Sequence, residues 1–124
     1  MAESVLIVDD DPVVRRMLQL SFESEGFDVS TAGDGLEGLE SMRASKPDVV
    51  ILDIMMPKLD GMRVLDELNN DDNLRGTPVI LLSAKATSLD VELGLKAGAT
   101  DYVTKPCDPI DLVDRVRSAL AKTG

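Results

Sequence analysis

The sequence predicts an α/β protein built on a doubly wound parallel sheet, and two observations lead to this prediction. Five short apolar runs alternate with five longer amphipathic segments, so that a strand-helix unit repeats five times. The clearest runs are continuous in Val, Ile and Leu, which is typical of parallel strands buried on both faces. Such units are joined by right-handed crossovers, which carry helices to the faces of the sheet.

The five predicted strands differ in their expected burial. The first, third and fourth are continuous apolar runs, whereas the second alternates between apolar and polar residues and is expected at a sheet edge. The predicted strands are SVLIV (4–8), FDVST (27–31), VVIL (49–52), TPVILL (77–82) and DYV (101–103).

Amphipathic helices are predicted between these strands. Asp11 followed by Pro12 is typical of a helix start, and Gly26 is typical of a helix end. One face of this first helix is an apolar stripe: Val14, Leu18 and Phe22. The other helices are predicted over about 35–44, 62–69, 88–97 and 109–122. The last of them is expected to bury one side: Ile110, Val113 and Leu120.

Composition narrows the class of protein. A chain of 124 residues suits one domain with one core, predicted over 1–124. The net charge of −10 predicts repulsion from nucleic acid and anionic membranes, and attraction to cations and basic partner surfaces. The absence of histidine and the single Cys107 exclude a His-based triad, a His-ligated zinc and a disulfide framework. Without a signal peptide or a stretch of ~20 apolar residues, a cytoplasmic protein is predicted.

Polar residues follow four of the predicted strands where each strand ends. Asp9 and Asp10 follow the first, and Asp53 follows the third. Ser83 follows the fourth and Lys105 the fifth. Function in an open parallel sheet gathers at the carboxyl ends of the strands, so these side chains are expected at one edge. An aspartate before a helix is also a common cap, and for Asp9 and Asp10 considered alone the spacing leaves cap and metal ligand equally open.

The chemistry of this set favours a metal and a phosphoryl group. Carboxylates crowded into one cleft raise one another's pKa, and a hard divalent cation relieves that repulsion. Mg²⁺, or Mn²⁺, suits an oxygen donor set without His or Cys. Lys105 and Ser83 add a positive charge and a hydroxyl donor that stabilise an anion. Because carboxylates form acyl-phosphates, the central Asp53 is a candidate phosphoryl carrier.

Four segments in this order resemble the receiver domain of two-component response regulators, over nearly the whole chain. They are LIVDDDP (6–12), DVVILDIMMPKLDG (48–61), PVILLSA (78–84) and GATDYVTKP (98–106). The resemblance implies a chemotaxis-regulator-like fold with five helices around a parallel sheet in strand order 2-1-3-4-5. It also implies a signalling domain that promotes only its own phosphorylation and dephosphorylation, not an enzyme.

The resemblance further implies roles for individual residues. Asp53 matches the phosphoacceptor, which receives its phosphoryl group from a histidine kinase or phosphotransfer protein. Asp10 matches a direct Mg²⁺ ligand and Asp9 one that acts largely through water. The backbone carbonyl of Met55, in the MMP turn (55–57), matches a third protein ligand.

A second group of residues matches the family's switch. Ser83 matches the hydroxyl that moves to the phosphoryl oxygen, and Tyr102 the aromatic that swings inward behind it. Lys105 matches the lysine that pairs with the acidic site, joined to Pro106 by a cis bond.

The face made by the fourth helix, fifth strand and fifth helix is the expected output surface. In one DNA-binding branch of the family this face dimerises through ion pairs, and Asp101 with Arg115 resembles one such pair. Val91 and Thr100 depart from that branch's charges, so a phosphorylation-dependent dimer and a different protein partner, or a missing output domain, both stay open. For Val91 and Leu95, partner contact and core packing are both open.

Three other functions fit the sequence less well. An aspartyl-phosphate phosphatase needs a second acid two residues after the nucleophile, where this chain has Met55. A flavin-binding module needs a hydroxyl- and Gly-rich phosphate loop after the first strand, where the acidic run at 9–11 repels phosphate. A non-phosphorylated scaffold is disfavoured by the full acidic set.

Overall fold

A computed structural model of the chain describes residues 2–56, 59–84 and 87–123. Pro57 of the predicted turn lies outside these residues. The elements, in chain order, are β1 (Ser4–Val8), α1 (Pro12–Ser24), β2 (Asp28–Ala32), α2 (Gly35–Ser45), β3 (Val49–Asp53), α3 (Gly61–Asn69), β4 (Val79–Ser83), α4 (Ser88–Lys96), β5 (Asp101–Thr104) and α5 (Pro109–Thr123). None of the described helices is long and apolar enough to cross a membrane.

The five strands form one parallel sheet in the order β2-β1-β3-β4-β5. The predicted fold class and strand order are therefore confirmed, with β2 at an edge. The register pairs Val8 with Leu52 and Ser83 with Thr104, so the strands end side by side. Their polar residues consequently share one edge of the sheet.

Two apolar clusters pack on opposite faces of the sheet. Successive strand residues point to opposite faces, so Leu6 contributes to one cluster and Ile7 to the other. Helices α2 and α3 cover the first cluster, and α1 and α5 cover the second. The central strands β3 and β4 are buried along their whole length, as continuous apolar runs predict. Removing this apolar surface from water is the main source of stability.

Most element bounds agree with the predicted ones to within two residues. Asp11 caps α1 by accepting hydrogen bonds from the backbone amides of Val13 and Val14, and Gly26 follows the helix with φ +91°. The larger revision is at the strand ends. Asp53 and Ser83 are the last residues of β3 and β4 rather than loop residues after them. The backbone of both residues is consequently held by sheet pairing.

The prediction that Ile110 is buried is wrong, because its side chain is 74% exposed. The buried face of α5 is instead made by other residues: Leu112, Val113, Val116 and Ala119. At 100° per residue, Ile110 lies about 120° round the helix from the centre of that face. Leu120, which was predicted on the same side, does pack against the core.

Candidate functional site

Three buried polar side chains stand at the carboxyl edge of the sheet. Among the residues that the structure describes, Asp9, Asp53 and Ser83 are the polar residues that are almost completely removed from water. They lie at the ends of β1, β3 and β4. Burying a charged group is costly unless it is paired, so their surroundings decide what the site can do.

Lys105 joins two of these buried groups. Its Nζ lies 2.9 Å from Asp9 Oδ2 and 3.2 Å from Asp53 Oδ2. The backbone amide of Lys105 donates to the carbonyl of Ser83 at 2.8 Å, which fixes the loop after β5 beside β4. The Lys105–Pro106 peptide is cis, as the resemblance implies. One ammonium therefore bridges two carboxylates from different strands.

The Asp53 carboxylate is under electrostatic stress. Burial and the nearby Asp9 charge raise its pKa to about 6 from a usual 3.8, although Lys105 and the Met55 amide act in the opposite direction. That amide donates to Asp53 Oδ1 at 3.2 Å. Burial alone lowers the pKa of Lys105, but its bonds and charge attraction to Asp9 and Asp53 outweigh this and raise it. Lys105 therefore remains charged, and one positive charge serves two negative ones.

A third carboxylate gives this cluster the donor set of a hard metal ion. Asp9, Asp10 and Asp53 each offer an oxygen, and these oxygens lie within 4.8 Å of one another. Asp9 Oδ1 accepts a hydrogen bond from the Asp11 amide at 2.9 Å. Asp9 Oδ2 is buried and, apart from its proximity to the Lys105 ammonium, lacks a directed hydrogen bond. Together with the excess negative charge, this fits a divalent cation.

Ser83 and Tyr102 line one cavity of about 160 Å³ beside α4. The Tyr102 ring is already turned inward, with 8% of the residue exposed. Gly94 on α4 makes room for it, because a Cβ at that position would lie 2.9 Å from the ring and 3.0 Å from Leu81. The predicted switch residues therefore meet across a space that borders the acidic cluster.

On the expected output face, Arg115 pairs with aspartates of its own chain, whereas the resemblance implies a pair between two chains of a dimer. Arg115 Nη1 lies 2.9 Å from Asp101 Oδ2, and Arg115 Nε lies 3.1 Å from Asp111 Oδ2. These hydrogen bonds raise the pKa of Arg115. Val91 and Leu95 divide: Val91 packs against the core, whereas Leu95 is 44% exposed.

Two residues beside the site went unrecognised in the sequence. Arg15 donates from Nη1 to the backbone carbonyl of Asp9 at 2.8 Å. Gly94 admits the Tyr102 ring. Arg15 follows Asp9 by six residues, a spacing that reaches back from the first turn of a helix. However, Arg16 is adjacent in sequence, and only the fold distinguishes the two.

Comparisons with known proteins agree with this geometry. Residues 5–117 match the response regulator receiver domain family. The transcriptional regulatory protein CseB of Streptomyces coelicolor is 50% identical over 120 residues, which are 97% of this chain and 50% of that protein. The chain thus spans about half the length of the curated relatives it matches.

Solved structures match over most of their length. The receiver domain of the Francisella response regulator 1452 has a TM-score of 0.93 and 37% identity, covering 98% of this chain and 99% of that one. The CheX–CheY–BeF3–Mg²⁺ complex of Borrelia burgdorferi contains a chain with a TM-score of 0.88 and 36% identity, covering 94% and 87%.

The fold and the acidic edge are those of a signalling module of two-component systems. The chain belongs to the response regulator receiver domain family of two-component signal transduction.

Proposed function

We propose that this chain accepts a phosphoryl group on Asp53 in a Mg²⁺-dependent reaction, from a histidine kinase or a phosphotransfer protein. The observation that carries the proposal is the Asp53 carboxylate itself. It is buried at the end of the central strand, 3.2 Å from Lys105 and within the cluster of three aspartates. Family membership supports the same reaction.

The contacts of Asp53 suit it to attack. Oδ1 is held by the Met55 amide and Oδ2 by the Lys105 ammonium, so the carboxylate is held in one orientation. In the transfer, a carboxylate oxygen forms a bond to phosphorus while the bond from phosphorus to the donor nitrogen breaks. The donor imidazole leaves with its electron pair. Lys105 then faces the added negative charge, and the Ser83 hydroxyl borders it.

The metal ligands in this proposal are Asp9, Asp10, Asp53 and the backbone carbonyl of Met55. A bound Mg²⁺, or Mn²⁺, supplies charge neutralisation and orientation of phosphoryl oxygens. The burial of Asp9 keeps its carboxylate aimed at the cluster, whereas the exposed Asp10 faces the side from which a cation enters. The Borrelia burgdorferi CheX–CheY complex, which contains a chain 36% identical to this one, is described with Mg²⁺ and BeF3, a phosphoryl mimic.

The proposed readout is a shift of Ser83 and Tyr102 that repacks the surface of α4, β5 and α5. These two residues share one cavity, and Asp101 precedes Tyr102 in the same strand, where it pairs with Arg115. The downstream element is a protein partner, a phosphorylation-dependent dimer of this face, or an output domain of a longer protein. Relatives twice as long, named as transcriptional regulators, favour an output domain. This acidic domain is predicted to span residues 1–124 and to act in the cytoplasm. We also propose that it contacts neither nucleic acid nor membrane.

The test is intact mass spectrometry after incubation with acetyl phosphate and MgCl2. We expect one phosphoryl adduct on the wild-type chain, none on Asp53→Asn, and none with EDTA in place of MgCl2. Asp72→Asn changes an exposed surface aspartate in the same way, so it is the matched control and should carry the adduct. An adduct on Asp53→Asn would move the acceptor elsewhere. No adduct on the wild type, with no response to BeF3 and Mg²⁺, would leave a non-phosphorylated scaffold.

A further inference from the structure

The loop that carries Asp9 and Asp10 is held by a side chain from outside it. Arg15, in the first turns of α1, donates from Nη1 to the carbonyl oxygen of Asp9 at 2.8 Å. This carbonyl belongs to the peptide that links Asp9 to Asp10. The orientation of that peptide plane fixes how the backbone joins the two aspartates, and so influences the directions in which their side chains leave it.

Two further bonds fix the loop around Asp9, and the Arg15 bond adds to them. The Asp9 amide donates to the Ala32 carbonyl of β2 at 3.1 Å. The Asp11 amide donates to Asp9 Oδ1 at 2.9 Å. With the Arg15 bond, both polar groups of the Asp9 backbone and one oxygen of its side chain are satisfied.

The space for the guanidinium is also specific. Gly33, just after β2, lies close to the Arg15 guanidinium, and a Cβ there would lie 3.3 Å from Arg15 Nη1. Glu37 Oε2 accepts a hydrogen bond from the Gly33 amide at 3.2 Å and would lie 3.7 Å from the same Cβ. A side chain at position 33 would therefore crowd the Arg15 guanidinium that donates to Asp9.

We propose that Arg15 is a positioning residue for the cation site, which acts by holding the Asp9–Asp10 peptide so that both carboxylates face one Mg²⁺. This inference rests on the proposed function, in which Asp9 and Asp10 bind the metal. Arg15 makes no contact with the metal in this proposal. Its effect passes through backbone geometry, in the manner of outer-shell groups that orient metal ligands.

The direction of the change in Mg²⁺ affinity distinguishes a positioning role of Arg15 from an effect of its charge. A guanidinium near a cation site repels the cation, so removal of Arg15 by charge alone would tighten Mg²⁺ binding. Loss of the peptide's orientation would weaken it. Outer-shell substitutions cost 10–100-fold in metal affinity, and for Arg15→Ala we expect about tenfold weaker Mg²⁺ binding.

The experiment is a titration of the metal-free chain with MgCl2 alone, followed by the amide chemical shifts of the ¹⁵N-labelled protein. The same spectra report whether each variant is folded. Arg16→Ala is the matched control, because Arg16 is the adjacent arginine and its recorded hydrogen bond is to Gln19 on the same helix. Its Mg²⁺ affinity should equal that of the wild type. Arg15→Lys retains the charge but not the planar fork, so it should weaken binding less than Arg15→Ala. It also keeps the test open if the alanine variant does not fold.

Gly33→Ala tests the same geometry without touching a charge. We expect about threefold weaker Mg²⁺ binding in the wild-type background and no further loss in the Arg15→Ala background, because the two changes act on one contact. Unchanged or tighter binding by folded Arg15→Ala or Arg15→Lys would overturn the positioning role. Absence of Mg²⁺-dependent shifts in the wild type would instead contradict the metal site of the proposed function.

Discussion

Two clusters in which one basic side chain pairs with two aspartates differ in their exposure to water. At the carboxyl edge of the sheet, Lys105 bridges Asp9 and Asp53, and its side chain is 22% exposed while theirs are 0% and 4%. On the α4–β5–α5 side, Arg115 bridges Asp101 and Asp111, whose side chains are 33% and 56% exposed. Each cluster places one cation between two carboxylates. In the buried cluster the charges interact strongly, whereas water screens the charges of the exposed one.

Burial changes the energetic consequence of pairing two carboxylates with a single cation. In the exposed cluster the leftover negative charge is solvated and has little consequence. In the buried cluster, burial and then the neighbouring Asp9 charge raise the pKa of Asp53 to about 6. A cation or a rearrangement is needed to relieve that charge repulsion. The predictions below test this difference, from the largest expected effect to the smallest.

Removal of the buried cation should have the largest effect. Lys105→Ala leaves two buried carboxylates facing each other, and breaking a buried pair from one side costs about 3 kcal/mol. We expect such a loss in the free energy of unfolding, measured by urea denaturation at pH 7.5 in EDTA. Recovery of part of it by MgCl2 would show that a second cation can replace the ammonium. If stability were unchanged, the pairing of Lys105 in the fold would be energetically idle.

Removal of the central carboxylate should act in the opposite direction. Because the pKa of Asp53 is raised in the folded state, its ionisation disfavours folding above pH 6 and has no such effect below about pH 4. The pKa shift corresponds to about 3 kcal/mol at pH 7.5, and Asp53→Asn also loses the contact with Lys105, so we expect it to raise the free energy of unfolding by about 2 kcal/mol without metal. The gain should shrink as the pH falls from 6 to 4. A gain that is constant with pH would assign it to packing instead of charge.

Mg²⁺ should distinguish the two clusters directly. At ten times its Kd, a ligand that binds only the folded chain stabilises it by about 1.4 kcal/mol. We expect a thermal unfolding midpoint that rises with MgCl2 in the wild type and in Arg115→Ala. The rise should be much smaller in Asp10→Asn, which removes a ligand from the exposed side of the buried cluster. An equal rise in all three would point to unspecific screening of the net charge of −10.

Removal of the exposed cation should have the smallest effect. Arg115→Ala breaks contacts of 2.9 and 3.1 Å, yet solvent-exposed ion pairs contribute about 0.5 kcal/mol. We expect a change in the free energy of unfolding of that size, and a smaller one in 1 M NaCl. A loss comparable to that of Lys105→Ala would show that exposure does not separate the two clusters.

The sequence predicted the fold because each strand carries its own signal. Continuous apolar runs identified β1, β3 and β4, and the polar residues after them identified the edge where the site lies. The strand order itself came from the resemblance, since local patterns do not encode which strands are neighbours. Ile110 was misassigned because an apolar residue in the first turn of a helix satisfies a stripe without facing the sheet.

Contacts between side chain and backbone were the part that sequence patterns could not supply. The bond from Arg15 to the Asp9 carbonyl depends on the rotation of α1 above β1, and Arg16 one position later has the same chemistry. The need for Gly94 depends on the side of β5 to which Tyr102 turns. Both follow from three-dimensional packing, and neither leaves a periodic pattern.

The position of Asp53 in the middle of the sheet has a mechanical consequence. β3 pairs with β1 up to Leu52 and with β4 up to Asp53 itself, so its last residue has little freedom to move. The β1 flank is tied down by the bonds around Asp9 and Arg15, whereas the β4 flank borders the cavity of about 160 Å³ at Ser83 and Tyr102. Any expansion at the acceptor is thus opposed on one flank and absorbed on the other. We therefore expect a displacement at Asp53 to propagate through the sheet towards β5 and not towards β2.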